Sequence, residues 1–261
     1  MAVDLMQIFE SSGIVQKTYP ITFSLTGGGG KTSLLYHCTS SWEGRGEQGI
    51  CLTTTTTRMF DPELTKHPFS SIQRYDTMDV RRLGTTPYIY QSKIPESGKV
   101  NGLTPKQVGM LGRLPRVKYI LCESDGSRQR PLKVPNSPVE PVHPDKTDVV
   151  LAVVGLSCLG DKVSEQTVHR LPVLRSISSS ETIDADLIAQ LTLDPRGLFC
   201  CAPESSTKIL ILNQADCIDQ LQLQRLMKVL APEALGVSAV LICTLKPVFK
   251  LIHMNGAYLH G

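Results

Sequence analysis

Apolar residues recur along the chain in short runs, and the period of those runs switches between two and about 3.6 residues. Leu5, Met6 and Phe9 share one face of a short amphipathic helix predicted over 2–15. Residues 21–26 then read as a strand that runs into glycines. Leu34, Leu35, Cys38 and Trp42 follow at helical spacing, and this helix is expected to end before the glycines at 44, 46 and 49. Further strands are predicted at 50–53, 87–93, 119–122, 149–154, 208–212 and 239–243. Thr104, Pro105 and Gln107 supply an N-cap, a first-turn proline and a capping-box partner for a helix reaching about Leu114, with Val108 and Leu111 on its apolar face. Two more helices are predicted, one through Ile183, Leu187, Ile188 and Leu191, stopping near Asp194-Pro195, and one through Leu223, Leu226, Met227 and Leu230. Pro62, Pro68 and Pro87 interrupt the stretch 60–87, 131–144 reads as an ordered extended loop, and His169-Arg170 falls in a polar loop. Strands and helices alternate over most of the chain. The expected fold is therefore α/β, one domain over 1–261 with a largely parallel sheet flanked by helices.

Composition narrows the function classes. The 261 residues can bury a sizeable core, and 41% hydrophobic with 20% charged residues argues against disorder. A net charge of +3 is too mild for a nucleic-acid partner, and the longest basic cluster, 128–133, is broken by Gln129, Pro131 and Leu132. Eight cysteines carry no C-x-x-C and no metal-ligand spacing; Cys51, Cys122, Cys217 and Cys243 lie in or beside apolar runs. They read as reduced, buried thiols, with the adjacent pair Cys200-Cys201 as a candidate reactive site. No basic-then-apolar leader and no bilayer-length run is present, so a cytoplasmic protein without membrane contact is expected.

The candidate chemistry begins at Gly27, Gly28, Gly29 and Gly30, followed by Lys31, Thr32 and Ser33. Strand, glycine loop and helix in this order form a phosphate loop, although Leu25 stands where the first glycine of the usual pattern falls. Glycines let backbone N–H groups close around phosphate, Lys31 reaches the outer phosphates, and the Thr32 hydroxyl ligates Mg²⁺. A structural glycine turn is the alternative. The run of threonines at 53–57, with Thr55 and Thr56 at its centre, leaves a strand where open α/β sheets bind ligands.

A buried strand also delivers Glu123 and Asp125, which alternate onto the same side in extended backbone and are candidates to hold Mg²⁺ or orient water. Arg128, Arg130 and Lys133 bring cations to the same edge, for a substrate anion or for the carboxylates. At the end of the next strand but one, Asn213 and Asp216 stand as in the Asn-Lys-x-Asp of guanine-specific proteins, with Gln214 in place of lysine; an Asx turn is the alternative.

Taken in order, the segments 27–32, 54–59, 123–128, 131–135, 168–170 and 212–216 resemble the YqeC family of selenium-dependent hydroxylase accessory proteins. The likeness covers roughly 15–245, and Glu-Ser-Asp-Gly-Ser-Arg with Pro-Leu-Lys-Val-Pro is its most specific part. Arg58 and Gln214 depart from the family pattern at positions where lysine is usual. The resemblance implies a P-loop nucleotide-binding protein that uses Mg²⁺ with ATP or GTP in the maturation of molybdenum hydroxylases carrying labile selenium. It also implies roles for Lys31, Thr32, Glu123, Asp125, Arg128, Lys133, His169 and Arg170 in the site. The partners implied are nucleotide and a client molybdenum hydroxylase or a selenium or molybdenum cofactor protein. A nucleoside triphosphatase is the leading expectation. The alternatives are a phosphoryl or nucleotidyl transferase acting on a small acceptor held by Arg128, Lys133 and His169, and a non-catalytic carrier or chaperone.

Overall fold

The computed structural model describes residues 5–11, 13, 20–58, 69–246 and 249–256. In chain order its main elements are α1 (Leu5–Ser11), β1 (Ile21–Gly27), α2 (Lys31–Arg45), β2 (Gln48–Thr53), β3 (Ser71–Arg74), β4 (Pro87–Tyr90), α3 (Pro105–Leu111) and β5 (Val117–Glu123). They continue with β6 (Val149–Gly155), α4 (Leu171–Ile177), α5 (Ala185–Leu193), β7 (Thr207–Asn213), α6 (Gln220–Val229), α7 (Pro232–Leu235), β8 (Ala239–Thr244) and β9 (Lys250–Gly256). The outer parts of the predicted first helix at 2–4 and 14–15, and the breaks at Pro62 and Pro68, lie outside the described residues.

The nine strands of the central sheet run in the order β9-β8-β7-β6-β1-β5-β2-β4-β3. Every neighbouring pair is parallel except β8 with β9. The expected α/β architecture is therefore present, with helices on both faces. Alternation along each strand divides the core between those faces. Phe23, Leu25, Leu151, Val153, Ile209 and Ile211 join α1 and α2 on one side. Ala152, Val154, Leu210 and Leu212 meet α5 and α6 on the other, and Ile50, Leu52, Ile120 and Cys122 cover α3. Strands buried on both faces read as near-continuous apolar runs, which is why these were legible.

Several expectations shift. The helix after the glycine loop does not stop before Gly44; it passes through it to Arg45 and ends at Gly46, whose φ of 66° supplies the left-handed turn. The predicted strand 87–93 divides at Gln91. Its second part, Ser92–Ile94, pairs instead with Lys99–Asn101, which also pairs with Thr57–Arg58, in a small antiparallel sheet. His169 is not in an irregular loop: Val168–His169 pairs in parallel with Leu132–Lys133. Among the described residues no helix is long and apolar enough to cross a membrane.

The chain leaves β1 towards β2 on one side and leaves β6 towards β7 on the other. A crevice opens where such connections diverge, at the carboxyl ends of the strands. The glycine loop stands at that point.

Candidate functional site

The glycine loop joins β1 to α2 with φ of 91° at Gly27, 70° at Gly29 and 134° at Gly30. A Cβ on Gly29 would lie 2.2 Å from the Gly155 backbone nitrogen, so the left-handed φ and the crowding both demand glycine. Gly29→Ala is expected to destabilise the fold by about 1–3 kcal/mol from backbone strain alone. A lowered urea midpoint with an unchanged slope is the outcome to look for, and an unchanged midpoint would mean that the loop is not held this tightly.

The loop is held from outside. The Gly27 N–H donates to Asp125 Oδ2 at 2.9 Å, the Gly28 N–H to the Val153 carbonyl at 2.8 Å, and the Gly29 N–H to the Arg130 carbonyl at 3.1 Å. Asn213 completes the clamp, donating from Nδ2 to the Gly29 carbonyl at 2.7 Å while its Oδ1 accepts the Leu245 N–H at 3.0 Å. Leu34 closes the first helical turn onto the Gly30 carbonyl at 3.0 Å. The N–H groups of Lys31, Thr32 and Ser33 find no acceptor among the described residues, and no side chain caps α2. All three residues line a cavity of about 850 Å³. The amides open to an anion are thus those of the first turn of α2 rather than those of Gly27, Gly28 and Gly29.

Beneath this cavity lies a line of alternating charge. Lys31 Nζ donates to the Gly27 carbonyl and sits 3.0 Å from Asp125 Oδ1 and 3.9 Å from Glu123 Oε1. Lys133 Nζ is 3.2 Å from Asp125 Oδ2 and 2.5 Å from Glu140 Oε2, and Arg170 Nη2 stands 3.9 Å from that same Glu140 oxygen. Burial alone would raise the Asp125 carboxyl, but Lys31, Lys133 and the Gly27 N–H overcome it and hold the group below its ordinary value. Glu123 goes the other way: burial raises it, assisted by Asp125 and opposed by Lys31. The two carboxylates predicted to face the same side therefore both reach Lys31. Only Glu123 forms part of the cavity wall; Asp125 is fully buried below it.

The remaining candidates separate in the same manner. Thr32, Ser33, Thr56, Arg128, His169, Arg170, Asn213 and Asp216 line the cavity, whereas Thr55 and Lys133 do not. Thr55 donates to Glu140 Oε1 at 3.4 Å, and Thr56 to Asn101 Oδ1 at 3.2 Å. Lys133 has no exposed side-chain surface, so it braces carboxylates and is closed to a small acceptor. Asp216 is exposed at the far end, where Thr244 donates to its Oδ1 at 3.1 Å. Gln214, in the place of lysine, has a left-handed φ of 66° and accepts a hydrogen bond from Ser157 at 2.9 Å. Burial first, then Lys133, Arg170 and Arg128, push the His169 imidazole down to about 4. All eight cysteines are free thiols; of those expected to be buried, Cys201 is exposed at a left-handed turn position with φ of 60°, and Cys217 is exposed on the turn after β7 because it stands beyond the sheet edge.

Sequence reasoning missed Glu140, which lies in an aperiodic proline-rich loop, and the cavity-lining Lys99 and Lys246. Lys246 had a usable signal, since it follows a strand on the ligand-binding edge. Also missed was His143, whose Nδ1 is 2.7 Å from Ser24 Oγ in the middle of β1.

A family model described as YqeC protein matches residues 23–172, the span that carries the glycine loop, Glu123, Asp125, Lys133 and Arg170. A protein of Escherichia coli (strain K12) described as uncharacterized protein YqeC is 34% identical over 200 residues, covering 75% of this chain and 76% of the relative. No solved structure matches. With the matched span holding the loop, the paired carboxylates and their lysines together, the chain belongs to the YqeC family.

Proposed function

We propose that this YqeC-family protein is a P-loop-type nucleoside triphosphatase, Mg²⁺-dependent and built as one domain, that acts in the cytoplasm as an accessory factor in the maturation of selenium-dependent molybdenum hydroxylases. The observation that carries the nucleotide reading is the uncapped first turn of α2. Its three free N–H groups line a cavity directly after a loop that only glycine can form. Such a helix end attracts phosphate through both its amides and its dipole. Lys31 rests against Asp125 and the Gly27 carbonyl at the base of the same cavity, and a phosphate there competes for its ammonium. The maturation role rests on family resemblance alone.

The residues fit Mg²⁺. This ion takes one or two protein oxygens together with phosphate oxygens and water. The exposed Thr32 hydroxyl and the Glu123 carboxylate at the wall are the candidates to hold it, whereas Asp125 is already engaged by two lysines and an N–H group. Bound there, the ion would neutralise phosphate charge. Where Thr32 holds the ion without it, Glu123, raised by burial, is instead the group suited to orient and accept a proton from water.

At the opposite end, Asp216 Oδ2 has no partner among the described residues. A carboxylate oxygen there suits the adjacent N–H donors of guanine, and meets an acceptor on adenine. Purified protein titrated with GTP and ATP, with and without Mg²⁺, is expected to bind GTP about tenfold tighter, the worth of one charge-assisted hydrogen bond. Phosphate release is expected only with Mg²⁺. Equal affinities would overturn the guanine reading, and binding of neither nucleotide would overturn the triphosphatase.

A further inference from the structure

A second cavity, of about 250 Å³, shares part of its lining with the first. Arg128, His169 and Arg170 line both. Arg130 adds a further cation on the second side, and Glu165 is the carboxylate there. A space of this size is below the usual range for a drug-sized ligand and suits a small molecule or a single anionic group.

The cations are held there at a conformational cost. Arg128, Gln129 and Arg170 have φ of 49°, 63° and 71°, a left-handed conformation that non-glycine residues avoid. Both segments are fixed by neighbouring backbone. The Arg130 carbonyl accepts the Gly29 N–H of the glycine loop, and Val134 donates to the His169 carbonyl at 3.2 Å. The backbone that carries the arginines is therefore tied to the loop, with the Arg128 side chain exposed and those of Arg130 and Arg170 half-buried. Arg170 Nε is buried yet has no hydrogen-bond partner among the described residues, and its Nη2 makes only the 3.9 Å approach to Glu140. Buried donors are nearly always satisfied, and an orphaned guanidinium donor beside a cavity calls for an acceptor. Guanidinium groups match the oxygens of carboxylate and phosphate.

We infer that this cleft is a second anion subsite, which takes the phosphate or carboxylate group of a small molecule beside the nucleotide, with Arg128 and Arg170 facing both ligands. The cleft rests on its own residues, while the statement that its occupant sits beside a nucleotide rests on the proposed function.

The 261-residue chain is titrated with inorganic phosphate and, separately, with malonate, and the His169 ring is followed by NMR. The probes are repeated on Lys31→Ala, Arg128→Ala and Arg130→Ala. An anion in the cleft offsets Lys133, Arg170 and Arg128 around His169, so the midpoint of the ring, about 4 without ligand, is expected to rise. Affinity is expected to stay within about threefold in Lys31→Ala and to fall about tenfold or more in each arginine variant, the loss of one charge-assisted contact. A response to phosphate alone assigns a phosphorylated ligand, to malonate alone a carboxylate, and to both a general anion site. Binding lost in Lys31→Ala but kept in the arginine variants would place the anion at the glycine loop and overturn the inference. So would a silent His169 with both probes in the wild-type protein, which needs no variant to fold. Failure of nucleotide binding with these responses intact would overturn only the triphosphatase reading.

Discussion

Lys133→Met is expected to lower folding stability by about 3–5 kcal/mol, the usual effect of removing one partner from a buried ion pair. For a chain of this size that is a fall in thermal midpoint of roughly 6–20 °C. Methionine keeps most of the volume and removes the charge. Lys133 has no exposed side-chain surface and lies between Asp125 Oδ2 at 3.2 Å and Glu140 Oε2 at 2.5 Å. Without it, Asp125 keeps Lys31 and the Gly27 N–H, but among the described residues Glu140 keeps only a distant arginine and a threonine hydroxyl. The sign with pH follows from Asp125, which is held below its ordinary value in the folded protein. Its contribution is present above the unfolded value of about 3.9 and is lost as pH falls through the folded one. Thermal unfolding at neutral pH is the test; a loss under about 1 kcal/mol would mean that the buried chain of charge contributes little.

Lys31→Ala affects ligand binding more than folding. Asp125 retains Lys133, and Glu123, left with the Thr57 hydroxyl and already raised by burial, can take up a proton, so the fold loses less than in Lys133→Met, whereas the cavity loses the ammonium at its base. Nucleotide affinity is expected to fall about 10- to 150-fold, the range for a lost charge-assisted contact. Calorimetry checks this, and normal affinity in a folded Lys31→Ala protein would remove the lysine from the site.

How far the sequence carried depends on the range of the signal. The β1–loop–α2 unit was legible because a change from strand run to glycines to helical spacing is local. Glu123 and Asp125 were legible as a pair because alternation along a strand is local too, and both do reach Lys31. Strand order is set by non-local pairing and left no trace in the residues. Asn213 shows the limit well. Its position after a strand suits base recognition or an Asx turn, and its amide clamps the Gly29 carbonyl and the Leu245 N–H across the sheet edge, a role set by residues far apart in the chain. Glu140 stands only seven residues after Lys133, but the proline-rich loop between them has no period to show that the two meet, and Arg170 comes from farther along the chain. A two-residue strand such as Val168–His169 is too short to carry any period at all.

The most direct test of the site is amide hydrogen exchange at 28–33, with and without Mg²⁺ and a non-hydrolysable GTP analogue. Saturating ligand is expected to slow exchange at Lys31, Thr32 and Ser33, whose N–H groups lack acceptors, and to change Gly28 and Gly29 little, since these already donate to Val153 and Arg130. Nucleotide bound at saturation with exchange at 31–33 unchanged would contradict a phosphate site at the start of α2.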